Sequence, residues 1–224
     1  MAANPLRIVA FLGTFTWALL VSAQAPADII PASIFIDFRS DAWAGAHGQN
    51  SYTVGSITAS ANPNSLILWQ DSRDGLGIQG GEIDEIDSYT YEESLSVVIA
   101  GSESLTGAWI TDLFGAPDGG IGEYGKVILN DDANLTFFFE GNLADQANGE
   151  IFVSFGPTAI EVWKSEFFVN NDIPGINTWD NEFSVAGFSN VTAIPEPATI
   201  TLMATALLGL LGASLRTRRR RRTA

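Results

Sequence analysis

The sequence predicts an all-β chain, a single two-sheet β-sandwich of jelly-roll type flanked by one apolar segment at each end. Three observations predict it. Between residues 28 and 194, glycine fills 19 of 167 positions and recurs with Asn, Asp and Pro between short runs of Val, Ile, Phe, Thr and Tyr, the pattern of strands punctuated by turns. About ten such runs fall in one domain-sized stretch, which suits two packed sheets. No internal repeat of about 20 to 50 residues is present, which removes solenoids and propellers. The chain has no Cys, so the fold must rest on its core, and a body of this length can bury one without staples.

In chain order the predicted strands are 33–38, 51–59, 65–70, 75–79, 95–100, 105–110, 126–129, 135–140, 150–155 and 182–191. Period-two alternation supports them. In the last, Phe183, Val185 and Gly187 share one face while Ser184 and Ala186 take the other. Phe137, Phe138 and Phe139 read as a buried strand whose neighbours face opposite layers. Two segments carry mixed signals. Thr90-Tyr91-Glu92-Glu93 matches a helix capping box, but the β-branched run behind it ends before Gly101 and favours a strand. Residues 158–173 place Ile160, Trp163 and Phe167 at helical spacing and fit either class.

The ends have a different character. Arg7 precedes a charge-free apolar stretch, residues 8–21, and Val21-Ser22-Ala23 fits a small-x-small cleavage rule; Ala25-Pro26-Ala27 is a poorer candidate because proline lies inside it. Residues 1–23 are therefore expected to be a signal peptide, with signal peptidase and the secretion machinery as partners. An acidic body, residues 28–193, follows. Residues 198–215 then form a second charge-free run, about 27 Å long as a helix, close to the roughly 30 Å of a hydrocarbon core. Behind that predicted transmembrane helix stand Arg216, Arg218, Arg219, Arg220, Arg221 and Arg222. Positive residues stay on the cytoplasmic side, so this cluster reads as a topology signal with the body outside.

Just before the span lies Ile194-Pro195-Glu196-Pro197. Each proline fixes φ and removes a backbone donor, leaving a stiff, extended peptide that an enzyme can grip. Pro-Glu-Pro, an apolar span and a terminal arginine cluster, in that order, resemble the sorting signal of PEP-CTERM proteins, here residues 194–224. The resemblance implies that Pro195, Glu196 and Pro197 are recognised by an exosortase, a membrane-embedded cysteine protease of bacteria that make exopolysaccharide. It implies an exported protein, first tethered in the inner membrane and then at the cell surface or outside it. The segment from Asp71 to Asp87, with Gly75-Leu76-Gly77-Ile78 and Asp84-Glu85-Ile86-Asp87, also resembles over about 30 residues a stretch in other PEP-CTERM ectodomains, and that likeness implies no activity.

The interior offers little catalytic chemistry. Residues 28–194 hold four cations, Arg39, Arg73, Lys126 and Lys164, against 25 acids, a net charge of −21 that disfavours nucleic acid as a partner. His47 is the sole imidazole and stands in a small polar loop, so a histidine-rich metal centre and a thiol nucleophile are both excluded. A glycoside hydrolase needs only two carboxyl groups, which counting cannot remove. The acidic run from Glu82 to Glu93, behind Gly80 and Gly81, suggests Asp84, Glu85 and Asp87 as oxygen ligands for Ca²⁺; the alternative is a solvated acidic turn. Trp43 and Trp179 are surrounded by polar loop residues and are the candidate platforms for stacking on a sugar. The expected function is a non-catalytic surface or matrix protein associated with exopolysaccharide. The alternatives are a secreted glycan-binding module, with or without calcium, and a glycan-active hydrolase.

Overall fold

The computed structural model describes residues 29–31, 34–80, 85–87, 92–116, 120, 122–145, 147–172 and 181–191. The predicted signal peptide and the whole C-terminal region, with its predicted span, lie outside the described residues. Among those described, no helix is long and apolar enough to cross a membrane.

The described chain is mostly strand: β1 (Ile36–Asp37), β2 (Ser51–Val54), β3 (Ile57–Asn62), β4 (Ile67–Asp71), β5 (Gly75–Gln79), β6 (Ser94–Leu105), β7 (Gly107–Thr111), β8 (Tyr124–Leu129), β9 (Thr136–Glu140), β10 (Ile151–Ser154), β11 (Ile160–Val169) and β12 (Ser184–Ser189). Helix is confined to three short 3-10 turns, Asp41–Ala46, Ala133–Leu135 and Gly141–Leu143. The strands form two antiparallel sheets. The first runs β10-β7-β12-β5-β4, with β1 also paired to β12; the second runs β2-β3-β6-β11-β8-β9. From β5 onward the chain crosses between sheets at every connection but one, the β8–β9 hairpin.

Three departures from the predicted strands have local causes. The run 51–59 is a hairpin, because Gly55-Ser56 makes a two-residue turn that pairs Val54 with Ile57. β6 continues through Gly101 and Ser102, both at positive φ, to Leu105, so the predicted break falls later, at Thr106. The ambiguous segment is β11, a central strand. A bulge between Val162 and Lys164 inserts one residue, so the inward positions fall at 162, 165, 167 and 169. The step of three imitates a helical period.

The two sheets share one core. Phe188 of β12 lies 5.8 Å from Phe167 of β11 between ring centres, 5.9 Å from Phe38 and 6.5 Å from Phe155. Phe139 meets Phe183 edge to face at 4.9 Å. Gly187 is required beside Phe188: its φ is +147°, and a Cβ there would run into the Ile36 carbonyl where β1 joins β12. A smaller cluster, Ile30, Trp109 and Ala186, caps the opposite face of the first sheet with help from Ile29, Ile34 and Phe152.

Truncating Phe188 opens a cavity at the contact of both sheets, and Phe188→Ala should lower the unfolding free energy by about 3–5 kcal/mol. Phe138, on the outside, is 56% exposed, and Phe138→Ala should change stability by less than about 1 kcal/mol. Urea unfolding of both variants checks this; similar losses would contradict the placement of the core.

Candidate functional site: the outer face of the second sheet

Strand alternation that buries Leu95, Val97, Val127 and Phe167 turns their neighbours outward. Three rows cross this outer face. Thr58 pairs with Val98, and Val98 with Lys164; Ser96 pairs with Glu166, and Glu166 with Ile128; Ser94, Phe168, Lys126 and Phe138 form the third.

The bulge in β11 sets the geometry at one end. Asn130 and Asp131 take left-handed φ values of 56° and 57° in the turn after β8, a conformation that short polar side chains tolerate. From there the Asn130 Oδ1 accepts the N–H groups of Trp163 at 2.9 Å and Lys164 at 3.4 Å. Its Nδ2 donates to the Glu161 carbonyl at 2.8 Å, and its own N–H donates to the Lys164 carbonyl. One side chain thus holds the extra residue in place, and Trp163 stands outward, 44% exposed, with Val98 42% exposed beside it. The same shift turns Ser165 into the core, where its hydroxyl has no hydrogen-bond partner among the described residues. That orphan costs about 1–3 kcal/mol. A strand that keeps such a cost to present an indole breaks a local rule where function is expected.

Charge on this face is paired. Lys164 Nζ lies 2.6 Å from Asp131 Oδ1 and 3.6 Å from Glu166 Oε2. The Asp131 hydrogen bond, against some loss of hydration and with help from Glu166, raises the Lys164 pKa above its ordinary value. Glu166 Oε1 in turn accepts from the Ser94 hydroxyl at 3.1 Å and Asn62 Nδ2 at 3.4 Å. At the other end Lys126 Nζ sits 5.9 Å from the centre of the Phe168 ring and 3.9 Å from Asp172 Oδ2, while Tyr124 flanks Phe138 at 6.5 Å. Two of the body's four cations therefore stand here.

The residues singled out by sequence fare differently. Trp43 is a correction: it is 2% exposed, 4.8 Å from Phe38 and 6.1 Å from Tyr52 between ring centres, so no face of its indole is open to a sugar. Its polar neighbours occupy the surface of a two-turn 3-10 helix whose inward side is Trp43 and Ala46. Trp179 lies outside the described residues, between Asn171 and Asn181, whose side chains hydrogen-bond at 2.9 Å. Asp84 also lies outside them. Asp87 is buried, Glu85 is partly exposed and its carbonyl accepts the Ile78 N–H, and the described residues contain no group of three acids or histidines placed to hold a metal ion. The tight carboxylate of that segment is Glu93, 1% exposed, which accepts the Asp87 N–H and lies so close to Gly80 that a Cβ there would strike it. His47 is exposed with its ring 4.1 Å from Trp69. Arg39 is committed to a fork on Asp37, at 3.0 Å and 3.2 Å. Pro195, Glu196, Pro197 and the terminal arginines are outside the described residues. Sequence reasoning missed Trp163 because the bulge hid the strand that displays it. Asn130-Asp131 behind Leu129, a pair suited to left-handed turns, was the available signal.

The described residues form a body of two antiparallel sheets, and Pro195-Glu196-Pro197 follow it in the sequence. Residues 193–221 match the family model of the PEP-CTERM protein-sorting motif, and the chain carries that sorting signal at its C-terminal end. The motif implies export, a membrane-anchored precursor and processing by exosortase-type machinery. No curated protein and no solved structure matches the chain.

The raised Lys164 pKa gives a pH signature. Its stabilisation is fully present below the unfolded value of about 10.4 and is lost as pH rises through the higher folded value. Asp131→Asn should lower the folded value and narrow that window. The fall in unfolding free energy between about pH 9 and about pH 11 should then be smaller than in wild type by urea titration; an unchanged fall would remove Asp131 as the cause.

Proposed function

We propose that the protein is a non-catalytic component of the cell surface or extracellular matrix, delivered by an N-terminal signal peptide, tethered by residues 198–215 and released or transferred at its sorting motif. The observation that carries this is the sorting motif at residues 193–221, which begins two residues after the last described position, Val191. The strand orders β5-β12-β7-β10 and β6-β11-β8-β9, with crossings between the sheets, support placing the body in the jelly-roll class. The non-catalytic reading is supported by chemistry already on the chain: its sole imidazole packs against Trp69, and the buried carboxylates of Glu93 and Glu150 accept backbone N–H groups. The terminal arginines would fix topology by remaining inside.

A second reading, a glycan-binding module associated with exopolysaccharide, is favoured by one observation. Trp163 and Phe138 are large aromatic side chains left open on the outer face of an otherwise well-buried sheet.

The sorting reading has a direct test. Replacing Glu196 with Ala removes the only charge between two rigid prolines, and the variant should accumulate as an unprocessed, membrane-retained precursor when the cognate protease is present. The mature C-terminus, located by mass spectrometry, should lie upstream of Ala198 in wild type. An intact arginine tail on released wild-type protein would sink the proposal.

A further inference from the structure

We infer that the outer face of the second sheet is a docking surface for a neutral, linear polysaccharide, with Trp163 and Phe138 as its two stacking platforms. This rests on the glycan-binding reading and gives it a site and a ligand class.

The platforms lie on one face. Phe138 belongs to the row of Phe168, five residues beyond Trp163 on β11, and stands two strands away. Strand spacings put the two rings about 19 Å apart. That separation suits an extended chain of several sugar rings, with neither platform demanding a closed pocket. A hexose presents C–H groups on one side and hydroxyls around its rim, so it needs an aromatic face and nearby donors and acceptors. Between Trp163 and Phe138 the sheet supplies them: Asp131 and Glu166 as carboxylate acceptors, Lys126 and Lys164 as ammonium donors. The backbone that carries the indole is fixed before any ligand arrives, because the four hydrogen bonds of Asn130 hold the bulge that projects it. Such preorganisation lowers the entropic cost of binding.

Charge selects the class. The two lysines are matched by Asp131, Glu166 and Asp172, so this face has no excess positive charge to draw a polyanion. The surrounding body carries −21, and at physiological salt its repulsion acts over a Debye length of about 8 Å. A polyuronate approaching the face meets that field. A neutral chain does not, and it exploits the hydrogen-bonding groups without an electrostatic penalty.

The test uses the full-length chain purified in detergent, titrated by calorimetry with a linear neutral β-glucan and, separately, with alginate. Wild type should bind the β-glucan at least tenfold more tightly than alginate. Trp163→Ala should weaken β-glucan binding by at least tenfold, Phe138→Ala by a smaller factor, and Phe35→Ala, an exposed aromatic elsewhere, should leave it unchanged. Trp163→Phe keeps an aromatic ring and should retain part of the affinity, which preserves the test if the alanine variant misfolds. Thermal melting should be unaffected in each variant that binds less. Wild-type affinity in both Trp163→Ala and Phe138→Ala would overturn the site while leaving the glycan-binding reading intact. Tighter binding of alginate would overturn the ligand class, and no binding of either polymer by wild type would overturn the reading together with the site. A dimer lost in Trp163→Ala would assign the face to a second copy of the chain and overturn the proposal.

Discussion

The contact of Phe188 with Phe38, Phe155 and Phe167 is the constraint on which the rest of the structure depends. A body with 21 excess negative charges and no cysteine has neither ion pairing in quantity nor covalent staples to hold two sheets together. Burial between the sheets must supply the attraction, at roughly 1.5–3 kcal/mol for each large side chain. Phe188 sits where that burial is densest, on a strand that pairs with β7, β5 and β1 while its ring reaches across to the other sheet. Gly187 follows from the same demand, since only a residue without Cβ lets β1 close over the strand beside that ring.

How far the fold could be read from the sequence depended on whether a strand kept its period. Residues 75–79 were legible to the residue because glycine and glutamine bound a short apolar run that is paired on both sides. The run 51–59 hid a turn, since Gly55-Ser56 is short enough to pass as part of an alternating strand. β11 was unreadable for a physical reason: a bulge held by Asn130, a residue more than thirty positions away in sequence, resets the alternation. The same long-range contact hid the exposed indole. Trp43 failed in the opposite sense, because polar neighbours in a 3-10 turn say nothing about which side of the turn meets the core. The sorting motif needed no fold at all, being a linear pattern of rigid, apolar and basic segments, and it was legible in full.

Charge placement differs between the outer faces of the two sheets. Arg39 is consumed within the chain by its fork on Asp37, and Arg73 pairs with its neighbour Asp74. Lys126 and Lys164 are the cations spent on an outer sheet face, where they neutralise carboxylates that strand pairing brings together. The outer face of the first sheet follows another plan, covered by the strap through Ile29, Ile30 and Ile34 and tied by the Ile29 N–H to Glu150 at 2.7 Å. One face is thus closed by the chain itself, while the other presents aromatic rings amid paired charges.

The position of β12 connects this architecture to sorting. It is the last strand among the described residues, yet it lies inside the first sheet, paired with β7 on one side and with β5 and β1 besides, so that sheet is incomplete until residues 184–189 are in place. The strand is then pinned at its exit: the Thr106 hydroxyl donates to the carbonyls of Ser189 at 3.1 Å and Val191 at 2.6 Å, and the Ser189 hydroxyl donates to Val191 at 2.9 Å. Among the described residues, the hydrogen bonds that hold the end of β12 are made at or before Val191. Three residues lie between Val191 and Pro195, and the four steps reach at most about 14 Å, so a protease acting at the motif would work close against the described end of β12. A cut there would remove no described residue of the core and leave β12 paired with β7, β5 and β1. The described contacts of β12 and the sorting motif thus occupy adjacent but separate stretches of the chain, so processing at the motif would leave those contacts in place.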